Sequence, residues 1–255
     1  MVLVGSGNVA THIAHALAPW LSGIYSRNAA HAAALAAQVG VAASGSLTDV
    51  AASAPAVIIV SVADKAIAEV TDAIGTIGSN PLIVHTSGTV GMEALSAVSP
   101  RTGVLYPLQT FSAGTPVDMA SVPFFTETAC EADLDTVDSI ARLISQHVYH
   151  ADAAHRRVLH IAGVFTSNFT NILLECVQTV LKDGGYGLDV VRPLIEATVA
   201  KAFAVGPHAA QTGPARRGDF AVIDRQEAAL PPHLKEAYRV LTDLILHSHG
   251  LIRPQ

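Results

Sequence analysis

Short apolar runs and helical repeats alternate along the first part of the chain. Val2-Leu3-Val4 is an apolar run that ends in Gly-Ser-Gly. Val9, Ile13, Ala16 and Leu17 then recur at helical spacing until Pro19. Leu21–Tyr25 reads as a second strand and Ala29–Val39 as an Ala-rich helix. Ala56–Val60 and Pro81–His85 are continuous apolar runs of strand length, as strands covered on both faces should be. Asp64–Ile74 has helical spacing, and Thr102–Tyr106 reads as another strand. Strands alternating with helices predict a doubly wound parallel sheet.

Pro107–Pro123 is turn-rich and has little periodicity. Val122–Thr126 and His147–His150 are candidate late strands, with a helix over Glu131–Gln146 between them. From Asp152 onward the pattern is helical only. Ala153–Lys182 predicts one long helix or two consecutive ones, ended by Gly184, Gly185 and Gly187, with further helices over Leu188–Ala204 and Leu234–Leu246. The expected division is an α/β domain over residues 1–150 and an all-α domain over 151–255.

Charge supports that division. Residues 1–100 contain only Arg27, Lys65, Asp49, Asp64, Glu69, Asp72 and Glu93, while the other 29 charged residues follow them. A half with few charges suits a buried sheet, and the charged half suits amphipathic helices. Half of the 255 residues are hydrophobic and 14% are charged, which excludes disorder as the main state. Much of the apolar fraction is Ala, and no run of 18 apolar residues occurs, so no membrane helix is expected. Met1–Ser26 lacks a basic leader region and is interrupted by Gly5–Asn8, so it does not read as a signal peptide. The net charge of −6 disfavours nucleic acid as a partner. Two cysteines, Cys130 and Cys176, suit a reducing compartment, and the expectation is a cytoplasmic protein.

Gly5-Ser6-Gly7-Asn8-Val9-Ala10 has the form G-x-G-x-x-A, between a strand and a helix. That context is what a dinucleotide-binding loop requires. The first Gly makes the tight turn, the second admits the pyrophosphate, and Ala10 allows close helix–strand packing. The helix N-terminus then offers N–H groups and partial positive charge to phosphates. A ligand-free Gly-rich turn is the alternative. The second strand ends in Tyr25-Ser26-Arg27-Asn28, where an NAD site would place an acid for the ribose hydroxyls. Arg27 suits a 2′-phosphate instead, with Ser26 and Asn28 as neutral donors, so NADP is the expected cofactor. The competing reading of Arg27 is a solvent-facing side chain.

Val62 and Ala63, after the AVIIV run, are expected to line the cofactor path; ordinary loop packing is the other option. Ser87 and Gly88, after His85, suit either a substrate contact or a plain turn. No metal site is expected, because His147, His150, Asp152 and His155 match no standard ligand spacing.

GSGNVA, YSRN, HTSG, Tyr106–Phe111 (YPLQTF) and Thr212–Asp219 (TGPARRGD) together resemble a group of uncharacterised bacterial proteins. These pair a Rossmann-like NADP-binding domain with a C-terminal helical domain of unknown function. They are similar to the 6-phosphogluconate dehydrogenase, pyrroline-5-carboxylate reductase and ketopantoate reductase superfamily. The resemblance covers nearly the whole chain. It implies an NADP-binding first domain, an all-α second domain and a homodimer. In that superfamily a Lys and an Asn one helical turn apart often serve as acid and substrate anchor. If Asn168 matches the Asn, Val164 stands at the Lys position, and no Lys occurs in residues 153–181. His160, Val164 and Asn168 share a helix face at i, i+4 and i+8. His160 is then a candidate acid/base and Asn168 a candidate substrate anchor, with buried structural roles as the alternative.

Arg216 and Arg217 are expected in a loop after Gly213-Pro214, either clamping an anionic substrate group or braced by Asp219. The expected function is NADP(H)-dependent hydride transfer to or from a small polar carbonyl, imine or hydroxyl compound. His160, Asn168 and Ser87 are the candidate catalytic residues. The candidate cofactor residues are Gly5, Ser6, Gly7, Asn8, Val9, Ser26, Arg27, Asn28, Val62 and Ala63. A non-catalytic NADP(H)-binding sensor or scaffold is the alternative.

Overall fold

A computed structural model describes residues 1–253. The chain divides into two compact units, Met1–Ser167 and the remainder from Asn168 onward.

In the first unit the strands are β1 (Val2–Val4), β2 (Gly23–Tyr25), β3 (Ala42–Ala43), β4 (Val57–Val60), β5 (Leu82–His85), β6 (Thr102–Pro107), β7 (Phe124–Thr128) and β8 (Val148–His150). They form one sheet in the order β3-β2-β1-β4-β5-β6-β7-β8. The helices are α1 (Asn8–Leu17), α2 (Ala29–Val39), α3 (Leu47–Ala52), α4 (Ile67–Ile74), α5 (Leu134–Ile144) and α6 (Ala153–Gly163).

The six strands β1–β6 are mutually parallel, but β7 runs antiparallel to β6. The doubly wound parallel sheet is thus as expected, with one antiparallel neighbour near its late edge. Parallel neighbours need a crossover, usually a helix, and residues 108–123 between β6 and β7 hold only one short 3₁₀ turn, Met119–Ser121. The chain therefore turns back. Helix α5 then supplies a crossover, and β8 returns parallel to β7. The late strands also begin one or two residues after the expected positions, and β3 and α3 were not foreseen. β3 is two residues long and α3 six, too short for a periodic signal.

The period-2 alternation within each strand builds two cores. Leu3, Val57, Ile59 and Leu105 pack with Ile13, Leu17, Leu35 and Val137 of α1, α2 and α5. Val2, Val4, Ile58, Val60 and Ile83 pack with Val50, Ile67 and Ile74 of α3 and α4. Both faces of the sheet are thus covered, which is why β4 and β5 read as unbroken apolar runs.

Arg156 on α6 is almost fully buried. Its guanidinium pairs with Glu127 of β7 and donates to the carbonyls of Ala151 (3.1 Å) and Val90 (3.2 Å). This anchors α6 to the sheet and to the loop after β5. Asp152 caps α6 by accepting from the His155 N–H at 2.8 Å.

Val164–Phe169 winds as a π-helical turn, and the boundary between the units falls within it. The i, i+4, i+8 register expected from His160 to Asn168 therefore does not follow ordinary α-helical geometry.

The second unit contains α7 (Thr170–Asp183), α8 (Arg192–Val205), α9 (Pro207–Ala210), α10 (Pro214–Arg217), α11 (Phe220–Ala229) and α12 (Pro232–Ser248). Its core is small. Ala215, Ile223 and Leu246 are buried, with Phe220, Tyr238, Ile245 and Leu251 packed against them. Arg239 and Arg253 both pair with Glu227. The TGPARRGD segment is not the expected loop. Pro214–Arg217 forms α10, Gly218 closes it in the left-handed region (φ 69°), and Asp219 caps α11 by accepting from the Val222 N–H. Asp219 thus braces a helix end rather than an Arg, and Arg216 and Arg217 are solvent-exposed.

Candidate functional site

The strand order reverses at β1, between β2 and β4. In open α/β sheets ligands bind outside the carboxyl ends of the strands at such a point. A cleft of about 690 Å³ lies there. It is lined by all ten of the expected cofactor residues: Gly5, Ser6, Gly7, Asn8, Val9, Ser26, Arg27, Asn28, Val62 and Ala63.

The loop geometry explains its glycines. Gly5 has φ of +132°, and a Cβ there would fall 2.0 Å from the Ser61 carbonyl oxygen. Only glycine fits so close to the adjacent strand end. A Cβ on Gly7, in contrast, would meet nothing within 4 Å, so the space before the α1 N-terminus is open. Among the described residues no side chain caps α1, and its first turn holds no acid. The N-terminal N–H groups and the helix dipole therefore face this space without an internal anion.

One end of the cleft is cationic and polar. Arg27 and His31 line it beside Ser26 and Asn28. Ser6 donates to Ser26 (2.7 Å), joining the glycine loop to the end of β2. Asn28 caps α2, accepting from the His31 N–H at 3.1 Å, which fixes the turn that carries Arg27 and His31. Asp64 and Glu69 line the side following β4, where Asp64 accepts from the Thr89 hydroxyl at 2.5 Å.

The candidate catalytic residues have different fates. Ser87 is buried and does not line the cleft. Its hydroxyl oxygen accepts the N–H groups of Thr89 and Val90, both at 3.1 Å, so it shapes the loop after β5. Thr86, one residue earlier, lines the cleft instead. His160 is exposed on α6, and its Nδ1 lies 3.4 Å from the Tyr106 hydroxyl. Asn168 is exposed in the π-wound turn, in the second unit.

His85 ends β5 fully buried. Its Nδ1 accepts from the Ser87 N–H at 3.2 Å. Burial, reinforced by the nearby Arg156 charge, drives its pKa down to about 4, so the imidazole is neutral near pH 7.

Sequence reasoning puts the strand ends that carry Asp64 and Thr86 at the cleft without singling out either residue, and it misses His31 and Phe111 as lining residues and Tyr106 as the partner of His160. The YPLQTF segment was recognised only as a motif of a resemblance. In the structure its alternate residues run along one helix: Tyr106 meets His160, Leu108 packs on Gly163, and the Thr110 hydroxyl lies 2.6 Å from that of Ser167. At its far end the Phe111 carbonyl accepts from Asn8 Nδ2 at 3.0 Å, and Phe111 lines the cleft. Tyr106 and Pro107 end β6 while residues 108–111 belong to no regular element, so the segment carries no single period and its role was not legible.

An open mostly parallel sheet with a Gly-rich phosphate-type loop, joined to a helical unit, defines a Rossmann-like protein with an oxidoreductase-like fold. The chain is 36% identical to BF3122 from Bacteroides fragilis, a protein provisionally named an NADP oxidoreductase, with a TM-score of 0.85 over 96% of this chain and 97% of that one. The chain belongs to the family of that protein, and its residues 122–245 match the model of the domain of unknown function DUF2520. Protein TM1727 from Thermotoga maritima shares the fold at 22% identity and a TM-score of 0.77, over 98% of this chain and 99% of that one. A reductive aminase from Aspergillus terreus, solved with NADPH and ethyl levulinate, shares it at 14% identity and a TM-score of 0.73, over 96% and 93% of the two chains. No curated protein matches the sequence.

Proposed function

We propose that this protein is an NADP(H)-dependent oxidoreductase acting on a small polar carbonyl, imine or hydroxyl compound. The observation that carries this reading is the cleft at the strand-order reversal, with an open glycine cradle at one helix N-terminus and Arg27 and His31 at its β2 end. The residues present fit the cofactor. Gly5, Ser6, Gly7, Asn8 and Val9 would hold the pyrophosphate, and Ser26, Arg27 and Asn28 the 2′-phosphate, with His31 beside them. Val62, Ala63 and Thr86 would border the nicotinamide. The bound cofactor supplies hydride; the chain supplies orientation and the proton. In this reading residues 1–150 hold the cofactor, and residues 151–255 carry the dimer contacts. Two free cysteines suit a cytoplasmic setting. Among the described residues, no helix is long and apolar enough to cross a membrane.

The homodimer rests on α7 and α8, neither of which has a buried residue. Phe203 is 89% and Leu194 68% exposed. Helices with this much uncovered apolar surface need a partner, and a second copy supplies the same surface by twofold symmetry.

A second reading is a non-catalytic NADP(H) sensor, favoured by the absence of Lys from residues 153–181. Titration with NADPH and NADH, followed by nicotinamide fluorescence, tests the cofactor assignment. Arg27→Ala is expected to weaken NADPH binding by about 10- to 100-fold, the loss of a charge-assisted contact, and to leave NADH binding unchanged. Equal binding of both cofactors by the unaltered protein would refute it. Steady consumption of NADPH with any small carbonyl or imine would eliminate the sensor reading.

A further inference from the structure

We propose that Tyr106 is the residue that gives the reacting heteroatom its proton, and that His160 is the positioning residue that returns a proton to Tyr106 from solvent. The proposal rests on the oxidoreductase reading above and names the proton donor that reading lacks. Four observations converge on it.

First, position. Tyr106 stands near the carboxyl end of β6, the neighbour of β5, whose following residue Thr86 lines the cleft. With its 2′-phosphate held at Arg27 on the β2 side, a bound cofactor would extend across the strand ends toward this end of the sheet. Second, fixation. The Tyr106 ring lies so close to Gly88 that a Cβ there would come within 2.6 Å of its Cζ. The ring is held between the loop after β5 and α6, and its neighbours Leu108 and Thr110 dock on Gly163 and Ser167. A proton donor needs this preorganisation. Third, partnership. The Tyr106 hydroxyl has His160 Nδ1 at 3.4 Å, long for a resting bond but within the range that tightens on substrate binding. His160 is exposed, so its ring exchanges protons with water, whereas Tyr106 is only 8% exposed. Fourth, winding. The π-helical turn begins at Val164, one turn after His160, and such turns concentrate at functional sites.

The protonation state agrees. Burial, with a smaller contribution from Asp64, holds the Tyr106 phenol above its ordinary range, so it stays protonated at neutral pH. When hydride reaches the carbon of a C=O or C=N bond, the π electron pair moves onto the oxygen or nitrogen. That atom takes the Tyr106 hydroxyl proton. The phenolate takes a proton from His160 Nδ1–H, and His160 regains one from water. In sum, one hydride, which a bound reduced nicotinamide would supply on being oxidised, and one proton from solvent would add across the double bond.

The test uses the full chain with Tyr106→Phe, His160→Ala and the unaltered protein. NADPH binding is measured first, then NADPH consumption with 1-pyrroline, cyclohexanone and glyoxylate, and finally the ring ¹⁵N resonances of His160 without cofactor. Tyr106→Phe is expected to bind NADPH within twofold of the unaltered protein and to turn over the best probe at least about 100-fold more slowly. His160→Ala is expected to slow turnover less and to be rescued by imidazole in the buffer, which a merely structural role would not produce. The His160 Nδ1 resonance is expected to move in Tyr106→Phe. Turnover by Tyr106→Phe within threefold of the unaltered protein overturns the proposal. So does an unmoved His160 resonance, or binding of NADPH with no consumption on any probe. Failure to bind NADPH overturns the oxidoreductase reading itself, which separates the two failures.

Discussion

Apolar side chains meet different ends in the two units. In the sheet unit, neighbouring residues on one strand go to opposite cores: Ile58 and Val60 to one, Val57 and Ile59 to the other. In the helical unit, α7 and α8 present Ile172, Leu173, Leu194, Val199 and Phe203 to solvent, and among its described residues the buried hydrophobics are Ala215, Ile223 and Leu246. The two units are not alike in self-sufficiency. A sheet covered on both faces buries its apolar residues within one chain. A helical segment with three buried hydrophobics has little core of its own against the entropy of ordering it, and the proposed dimer would supply the cover.

Substitutions in α8 put that contrast to its hardest test. Each of Leu194 and Phe203 contributes about 1.5–3 kcal/mol when fully buried, and a twofold interface uses each one twice. Leu194→Glu with Phe203→Glu is therefore expected to convert the proposed dimer to monomer, read by sedimentation velocity. A monomeric unaltered protein would break the comparison.

In the sheet unit the largest effect is expected at Arg156. Removing one partner of a buried pair costs about 3–5 kcal/mol, and the two carbonyls it serves would also be left unpaired. Arg156→Met should lower the stability seen in urea unfolding by about that amount. A change below about 1 kcal/mol would mean that α6 is held by packing alone.

His85 makes a pH prediction. Its folded pKa of about 4 lies below the ordinary 6.5, so the unfolded chain binds the proton more tightly. Its contribution is fully present above pH 6.5 and is lost as pH falls toward 4, reaching about 3 kcal/mol. His85→Gln should flatten the stability profile between those limits. An unchanged slope would assign it to other groups. The smallest effect is expected at Asp219, whose replacement by Ala removes the α11 cap and should cost about 1 kcal/mol of thermal stability.

Much of the cofactor cleft was legible in the residues, because its signals are local. Gly5 must be glycine for a turn against Ser61, and Arg27 follows β2 at a distance set by one βαβ unit. The remainder was not legible. Ser87 and Thr86 are neighbours after the same strand, and only the folded loop shows that Ser87 turns inward to serve two N–H groups while Thr86 faces the cleft. Arg216 and Arg217 looked like a loop clamp, because a four-residue helix leaves no periodic trace.

The sequence by itself determined the strand–helix alternation, the glycine loop and the cationic end of the β2 turn, all set by contacts within some thirty residues or by backbone sterics. Only the tertiary structure decided that β7 reverses, that Arg156 reaches Glu127 and Val90, and that Tyr106 meets His160 fifty-four residues later. Those pairings join residues far apart in the chain, and their geometry exists only once the packing of α6 on the sheet has brought them together.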